Sequence, residues 1–196
     1  MDKDNGIPEN GGSRETAEDS GIDIGSEIYD WAQALTFSIV IVVLLFTFFA
    51  RIIGVEGPSM TPTLMEADRI IISDLFYTPK NGDVVVFRKE SFMTEPLVKR
   101  IIATEGQTVD INFDTNEVFV DGALLDEEYI NEPTRRKEDV VFPVKVPQGH
   151  VFVMGDNRNH STDSRRQSVG MVDERLIIGR VIFRIYPFNK LGTVKG

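Results

Sequence analysis

An apolar stretch near the start of the chain constrains its fold more than any other feature. Residues 34–50 carry no charged side chain. With their neighbours from 31 to 53 they supply about twenty residues, enough to span a hydrocarbon core of about 30 Å. Trp31 at one end and Arg51 at the other are of types that favour the membrane interface. A buried core helix is the alternative, but a remaining chain of this size rarely buries a helix that is apolar on every face. The sequence therefore predicts a transmembrane helix over residues 31–53.

The segment before this helix, residues 1–30, is acidic and poor in large apolar side chains. Its only basic residues are Lys3 and Arg14, and it is predicted to be disordered because it cannot bury enough apolar surface to offset its ordering entropy. It holds most of the net charge of −10. The rest of the chain has no basic stripe to neutralise phosphates, so we expect no nucleic-acid partner. The few basic residues near the ends of the helix do not decide its orientation in the membrane.

Beyond the helix, the pattern is that of a β-rich domain. Asp121-Gly122 is a strong signal for a two-residue hairpin turn. Pro143 should confine its strand to a sheet edge or a bulge. Short runs rich in Val, Ile and Phe, separated by turn signals, predict strands over residues 83–87, 97–104, 108–113, 117–120, 140–146, 150–154 and 176–186.

A serine and a lysine in this domain are candidates for a catalytic pair. Ser59 follows the apolar stretch closely and begins the sequence Ser-Met-Thr-Pro-Thr-Leu. Lys99 lies in a predicted strand, where alternation places it on the same face as Leu97 and Ile101. If that face is buried, the pKa of the amine falls from about 10.4 towards 7, and the neutral amine can accept the proton of Ser59. An outward-pointing surface lysine is the alternative.

The two histidines of the chain offer a different base. A Ser-His-Asp triad would need His150 or His160 beside Ser59. His150 lies at a predicted strand start and His160 lies in a polar loop, residues 155–165. That loop is rich in hydroxyl, carboxylate and arginine side chains, and its composition fits either a solvent-exposed turn or support for an active site. With no cysteine and no His-Glu-x-x-His pattern, the sequence disfavours a zinc site.

Taken together, the motifs resemble those of the type I signal peptidases of bacteria. They are Ser-Met-x-Pro-Thr-Leu beginning at Ser59, then Lys99-Arg100, then Gly-Asp-Asn-Arg-x-x-Ser-x-Asp-Ser-Arg over residues 155–165. Gly-Asp-Val-Val-Val-Phe at residues 82–87 also looks like a family motif. The resemblance extends from the apolar stretch to Arg180. The single span and the short chain look like the compact Gram-positive form.

The resemblance implies a role for each of these side chains. Ser59 is expected to be the nucleophile and Lys99 the general base of a serine endopeptidase that works through an acyl-enzyme. The supporting residues that the resemblance implies are the Ser161 hydroxyl, which would hold the lysine amine, and two ion pairs, Arg100 with Asp156 and Arg165 with Asp163.

The resemblance also implies a fold, a location and a substrate. The expected fold is mainly β, with a catalytic domain over residues 54–196 and a smaller region inserted near residues 107–146. The N-terminus would lie in the cytoplasm and the catalytic domain outside the cell membrane, in contact with membrane lipid. The expected partners are secretory preproteins, whose signal peptides dock as extended strands and are cut after small residues at positions −1 and −3. No metal or organic cofactor is implied.

The chain departs from the family pattern at three places near the site. Residues 103–105 are a loose match to the small-residue turn that usually follows the lysine. Gly57 stands where some members carry a serine that helps to bind the oxyanion, so the second oxyanion donor is unassigned. His160 stands where asparagine is common.

Two other functions compete with the signal peptidase hypothesis. Self-cleaving repressors use a similar dyad, but they are soluble and bind DNA, so the apolar span disfavours them. A catalytically silent, membrane-anchored domain that captures peptides is the second alternative, and the presence of both Ser59 and Lys99 disfavours it.

Overall fold

The computed structural model describes residues 24–89 and 91–194. One α-helix, α1, precedes a series of antiparallel strands. The disorder predicted for residues 1–23 lies outside the described residues. The elements are α1 (Ile24–Phe49), β1 (Arg51–Gly54), β2 (Arg69–Ser73), β3 (Val84–Phe87), β4 (Leu97–Ala103), β5 (Thr108–Asn112), β6 (Glu117–Val120), β7 (Ala123–Leu124), β8 (Val144–Lys145), β9 (His150–Met154), β10 (Val172–Asp173), β11 (Ile177–Tyr186) and β12 (Gly192–Thr193).

The apolar stretch forms α1, a helix of 26 residues. At 1.5 Å per residue its length is roughly 39 Å. Its stretch Glu27–Leu44 has a mean hydropathy of 1.4 and is exposed along its whole length, so this is the one helix in the described chain that is long and apolar enough to cross a membrane. The helix covers Ile24–Phe49, so it includes residues 24–30, for which the sequence predicts disorder. Extending a formed helix adds one hydrogen bond for each residue fixed. The negative charge of Glu27 in the first turn also stabilises the helix, because it lies at the positive end of the helix dipole.

The helix ends at Phe49, before the predicted residue 53, because the next residues form β1. Ile53 of β1 pairs with Ile70 of β2, and Arg51 pairs with Ile72. Apolar β-branched residues suit a membrane helix and a strand equally well in sequence. Pairing with β2, a strand that the sequence analysis missed, decides between the two.

Two antiparallel sheets make up the rest of the described chain, which confirms the predicted mainly β fold. The larger sheet has the strand order β1-β2-β11-β3-β4-β9-β10, with β12 beside β11. This order places β4 in the interior of the sheet, between β3 and β9. The strand therefore has hydrogen-bonded neighbours on both sides, and its burial pattern is continuous rather than alternating.

The smaller sheet has the order β7-β6-β5-β8 and comes from the stretch that was predicted to be inserted. Asp121 and Gly122 have φ values of 51° and 80°, as a hairpin turn of this length requires. The strand predicted over residues 140–146 is reduced to β8, at the sheet edge, because Pro143 cannot donate a ladder hydrogen bond. Val109 and Val118 of this sheet pack with Phe152 of the larger sheet, so the two sheets share a core.

Candidate active site

The nucleophile candidate, Ser59, lies in the loop that joins β1 to β2 and is partly exposed. Two side chains of this loop, Met60 and Leu64, are 1% and 0% exposed and pack with Ile70 and Ile72 of β2 in the core. The Leu64 backbone N–H donates to the Met60 carbonyl over 2.9 Å. The loop is thus anchored by apolar side chains that follow the serine directly.

Lys99 of β4 is hydrogen-bonded to Ser59. Its Nζ donates to Ser59 Oγ over 2.8 Å and to the Val98 carbonyl over 2.9 Å. The lysine is only 3% exposed. This burial lowers the pKa of Lys99 to about 8, against the opposing effect of Asp163 and Asp156, whose charges favour the protonated amine. The structure therefore brings the two predicted residues together, and it makes the amine a usable base near neutral pH.

Both faces of β4 are buried at this position. Leu97 and Ile101 pack in one apolar cluster, as alternation predicted for the face of Lys99. Arg100 on the opposite face is also buried, at 1% exposure. A buried guanidinium needs partners for its charge and its N–H groups.

Arg100 finds these partners in Asp156, in the polar loop. Its Nε donates to Asp156 Oδ1 and its Nη2 to Asp156 Oδ2, each over 2.8 Å, while Nη1 donates to the Gly82 carbonyl over 2.6 Å. Such bidentate pairing fixes geometry as well as charge. Gly82 belongs to the motif that precedes β3, so three of the motifs identified in the sequence meet at one guanidinium.

The polar loop also holds the nucleophile loop. The Asn157 backbone N–H donates to the Ser59 carbonyl over 3.0 Å, and its Nδ2 donates to the Pro58 carbonyl over 3.1 Å. Thr63 Oγ1 donates to Asp156 Oδ2. These three bonds fix the backbone on both sides of the Ser59 hydroxyl.

Asp163 and Arg165 form the second buried ion pair. Arg165 Nε and Nη2 each donate to an Asp163 oxygen over 2.8 Å, and the Gly155 N–H donates to Asp163 Oδ2 over 3.0 Å. Burial would raise the pKa of Asp163, but the charge and hydrogen bonds of Arg165 keep it below its ordinary value. Arg165 Nη2 also donates to the Arg158 carbonyl over 2.6 Å, which closes the loop on itself.

Ser161 lies near the dyad, but its predicted bond to the lysine is not formed. Its side chain is buried, and its hydroxyl lies close enough to Asp163 to help lower the pKa of that carboxyl. The described bonds of Lys99 Nζ go to Ser59 Oγ and the Val98 carbonyl instead. The Ser161 side chain lies against Gly155, where a Cβ would be 2.3 Å from its Oγ.

Neither histidine is hydrogen-bonded to Ser59 in the part of the chain that the structure describes. His150 Nδ1 contacts the Gln148 carbonyl at 2.8 Å, and His160 is exposed. The Ser-His alternative of the sequence analysis therefore has no geometric support.

Sequence reasoning missed a further buried cluster beside the polar loop. Arg158 is fully buried and forms an ion pair with Glu127 of the inserted region. Its Nε donates to the Gly155 carbonyl over 3.1 Å and its Nη1 to Thr134 Oγ1 over 3.2 Å. Arg158 belongs to the recognised motif, but nothing in the linear pattern of the inserted region signals its partners.

A small cleft of about 140 Å³ opens beside the dyad. Ser59 and Lys99 line this cleft together with apolar side chains from β1 and β4. Its lining residues are Ile53, Gly54, Glu56, Ser59, Glu95, Pro96, Leu97, Val98 and Lys99. The apolar part of this lining suits uncharged side chains.

Known proteins match most of this chain. The profile of the family described as signal peptidase, peptidase S26, matches residues 28–186. A probable signal peptidase I-1 from Synechocystis sp. is 37% identical over 170 residues, which cover 82% of this chain and 83% of that protein. The signal peptidase I of Bacillus licheniformis is 33% identical over 176 residues, covering 85% and 92% of the two chains. Signal peptidase IB of Staphylococcus aureus is 32% identical over 182 residues, covering 84% and 92%.

The chain is therefore a peptidase, and it belongs to the signal peptidase family, peptidase S26. Membership of this family implies the removal of signal peptides from preproteins, which confirms the resemblance found in the sequence. It also favours a peptidase over a silent peptide-capturing domain.

We predict that Gly155→Ala abolishes most of the peptidase activity. An alanine Cβ at this position would lie 2.3 Å from Ser161 Oγ and 2.5 Å from the Ser59 carbonyl oxygen, so the nucleophile loop must move. A misplacement of about 1 Å can cost on the order of a hundredfold in rate. Cleavage of a signal-peptide substrate by the purified variant tests this, with thermal unfolding as the check on folding. Activity close to that of the unmodified protein would show that the loop tolerates displacement.

Proposed function

We propose that this protein removes signal peptides with a dyad of Ser59 and Lys99 through an acyl-enzyme. The observation that carries the proposal is the hydrogen bond of 2.8 Å between Lys99 Nζ and Ser59 Oγ, made by an amine that is 3% exposed. A buried, neutral amine beside a hydroxyl is the arrangement that activates a serine without histidine.

The reaction proceeds in two stages. Neutral Lys99 accepts the proton of Ser59 while Oγ attacks the scissile carbonyl, and the protonated amine then gives that proton to the leaving amine of the mature protein. Water next attacks the ester on Ser59, with Lys99 again as base, and releases the signal peptide. The Ser59 backbone N–H is the first candidate donor to the oxyanion. Because only neutral Lys99 can accept the proton, activity rises with pH through about 8.

The cleft supports a preference for small residues at positions −1 and −3. An extended strand presents alternate side chains to one side, so these two positions face the same wall. The lining by Ile53, Leu97 and Val98 is apolar and favours uncharged side chains such as alanine. Strand addition along an exposed edge would align the scissile bond with Ser59.

The two ion pairs act as supports in this proposal. The pair of Arg100 and Asp156 holds the polar loop against β4, and the pair of Arg165 and Asp163 holds the same loop from within. The role of Ser161 in orienting the lysine stays a prediction.

We expect Ser59→Ala and Lys99→Arg each to abolish cleavage of a precursor that carries alanine at −1 and −3. Alanine removes the nucleophile, and a guanidinium cannot lose its proton in this pH range. His150→Ala and His160→Ala are the matched controls and should keep most of the activity. Substantial cleavage by Lys99→Arg would refute the dyad, and near-complete loss in either histidine variant would favour a Ser-His mechanism.

The proposed orientation places the N-terminus in the cytoplasm and the catalytic domain outside the membrane, where exported preproteins emerge. The chain has no cysteine, so a single Asp114→Cys substitution at an exposed turn reports the location of the domain. We expect a membrane-impermeant maleimide to label this variant in intact cells. Labelling that occurs only after the cells are lysed would show that the domain lies on the cytoplasmic side, which contradicts the proposed orientation.

A further inference from the structure

One segment of the inserted region, residues 127–136, lies along the polar loop and is called here the strap. Asn131 donates its backbone N–H to the Asp156 carbonyl over 3.4 Å. Asn159 Nδ2 donates to the Pro133 carbonyl over 3.1 Å, and Arg158 pairs with Glu127. The strap thus contacts the polar loop at several points along its length.

Tyr129 is the aromatic residue of the strap, and its ring lies near two buried arginines. The Cζ atom of Arg100 is 3.9 Å from the ring centroid, and that of Arg158 is 5.8 Å from it. Arg100 already uses Nε, Nη1 and Nη2 at its edges, for Asp156 and Gly82. The ring covers the flat face of the guanidinium. The positive charge is attracted to the electrons of the ring face, and the ring excludes water from that side.

The position of Arg100 connects this contact to both members of the dyad. Arg100 follows Lys99 directly in β4. Its partner Asp156 precedes Asn157, whose N–H holds the Ser59 carbonyl over 3.0 Å. A shift of the Arg100 guanidinium would therefore move the lysine strand relative to the serine loop.

We propose that Tyr129 is a positioning residue of the active site, whose ring covers Arg100 and so keeps Ser59 aligned with Lys99. The inference rests on the dyad proposed above. It gives the inserted region a part in catalysis, although none of the residues that line the cleft comes from that region. Because Tyr129 does not line the cleft, its loss should change kcat and leave KM nearly unchanged.

Removal of the ring should also move the pH dependence in a defined direction. Burial is the largest cause of the low pKa of Lys99, and it outweighs the opposing effect of Asp163 and Asp156. When Arg100 no longer holds Asp156 in place, the polar loop and the Ser59 loop bound to it shift away from Lys99. Water that enters beside the amine then stabilises its charged form. The pH below which activity falls should therefore move upward.

Steady-state cleavage of a signal-peptide substrate between pH 6 and 10 tests this with Tyr129→Leu and Tyr129→Phe. Leucine keeps an apolar side chain but removes the ring. We expect kcat to fall on the order of tenfold while KM stays within about twofold. We also expect the acidic limb of the pH profile, the range in which activity falls as the pH is lowered, to move to higher pH. Phenylalanine keeps the ring face and should restore the unmodified profile, since the Tyr129 hydroxyl has no described hydrogen bond.

Phe113→Leu is the matched control. Phe113 also contacts a cation, Lys137 at 5.8 Å from the ring centroid, and in the inserted region its ring packs against Phe142 and the core that the two sheets share. It should leave the acidic limb in place, even if it lowers stability. The limb position does not depend on the amount of folded enzyme, so it separates positioning from partial unfolding.

Three outcomes would overturn the inference. The first is an acidic limb in Tyr129→Leu at the same pH as in the unmodified protein. The second is a loss of kcat in Tyr129→Phe equal to that in Tyr129→Leu. The third is a rise in KM with unchanged kcat in Tyr129→Leu. Ser59→Ala and Lys99→Arg are measured in parallel. If either retains cleavage, the dyad itself is wrong, and this result is distinguishable because it does not involve Tyr129.

Discussion

The burial of one amine, Lys99 Nζ, against the Ser59 hydroxyl is the interaction on which the site depends. Lowering the pKa of Lys99 from 10.5 to about 8 corresponds to on the order of 3 kcal/mol against its charged form. The lysine is buried because it lies on an interior strand, β4, between the apolar residues Leu97 and Ile101 of the same face. The nucleophile comes to this amine on a loop that the buried Met60 and Leu64 anchor.

Around the dyad, each of two buried carboxylates forms an ion pair with a buried arginine. Asp156 and Asp163 each accept two bonds from one arginine. Buried ion pairs add little stability against apolar side chains of the same size, but removing one partner is costly. Their value here is geometric, because the same loop that carries both aspartates also carries Asn157, which binds the Ser59 backbone. Tyr129 extends this arrangement to the inserted region.

Much of this arrangement could be predicted from the sequence, and the failures have physical causes. Period-two alternation placed Lys99 on the same face as Leu97 and Ile101, and the family resemblance implied both ion pairs. Alternation could not show that Arg100 is buried too, since an interior strand has no solvent face. Strand β1 was taken for the end of the membrane helix because pairing with β2 is a tertiary effect. The contacts of Glu127 and Tyr129 join segments far apart in sequence, so no local pattern contains them. The role of Ser161 rests on the resemblance alone and stays a prediction, since the described bonds of the amine go to Ser59 and the Val98 carbonyl.

Nuclear magnetic resonance can follow the titration of the Lys99 amine directly. The ε-carbon of Lys99, labelled with carbon-13 in detergent-solubilised protein, shifts as its amine gains a proton, and Lys99→Arg identifies the signal by its disappearance. The account predicts a midpoint at a pH of about 8, with the amine neutral above it and charged below. A midpoint near 10.5, the ordinary value for lysine, would show that burial does not prepare this amine as a base and would contradict the account.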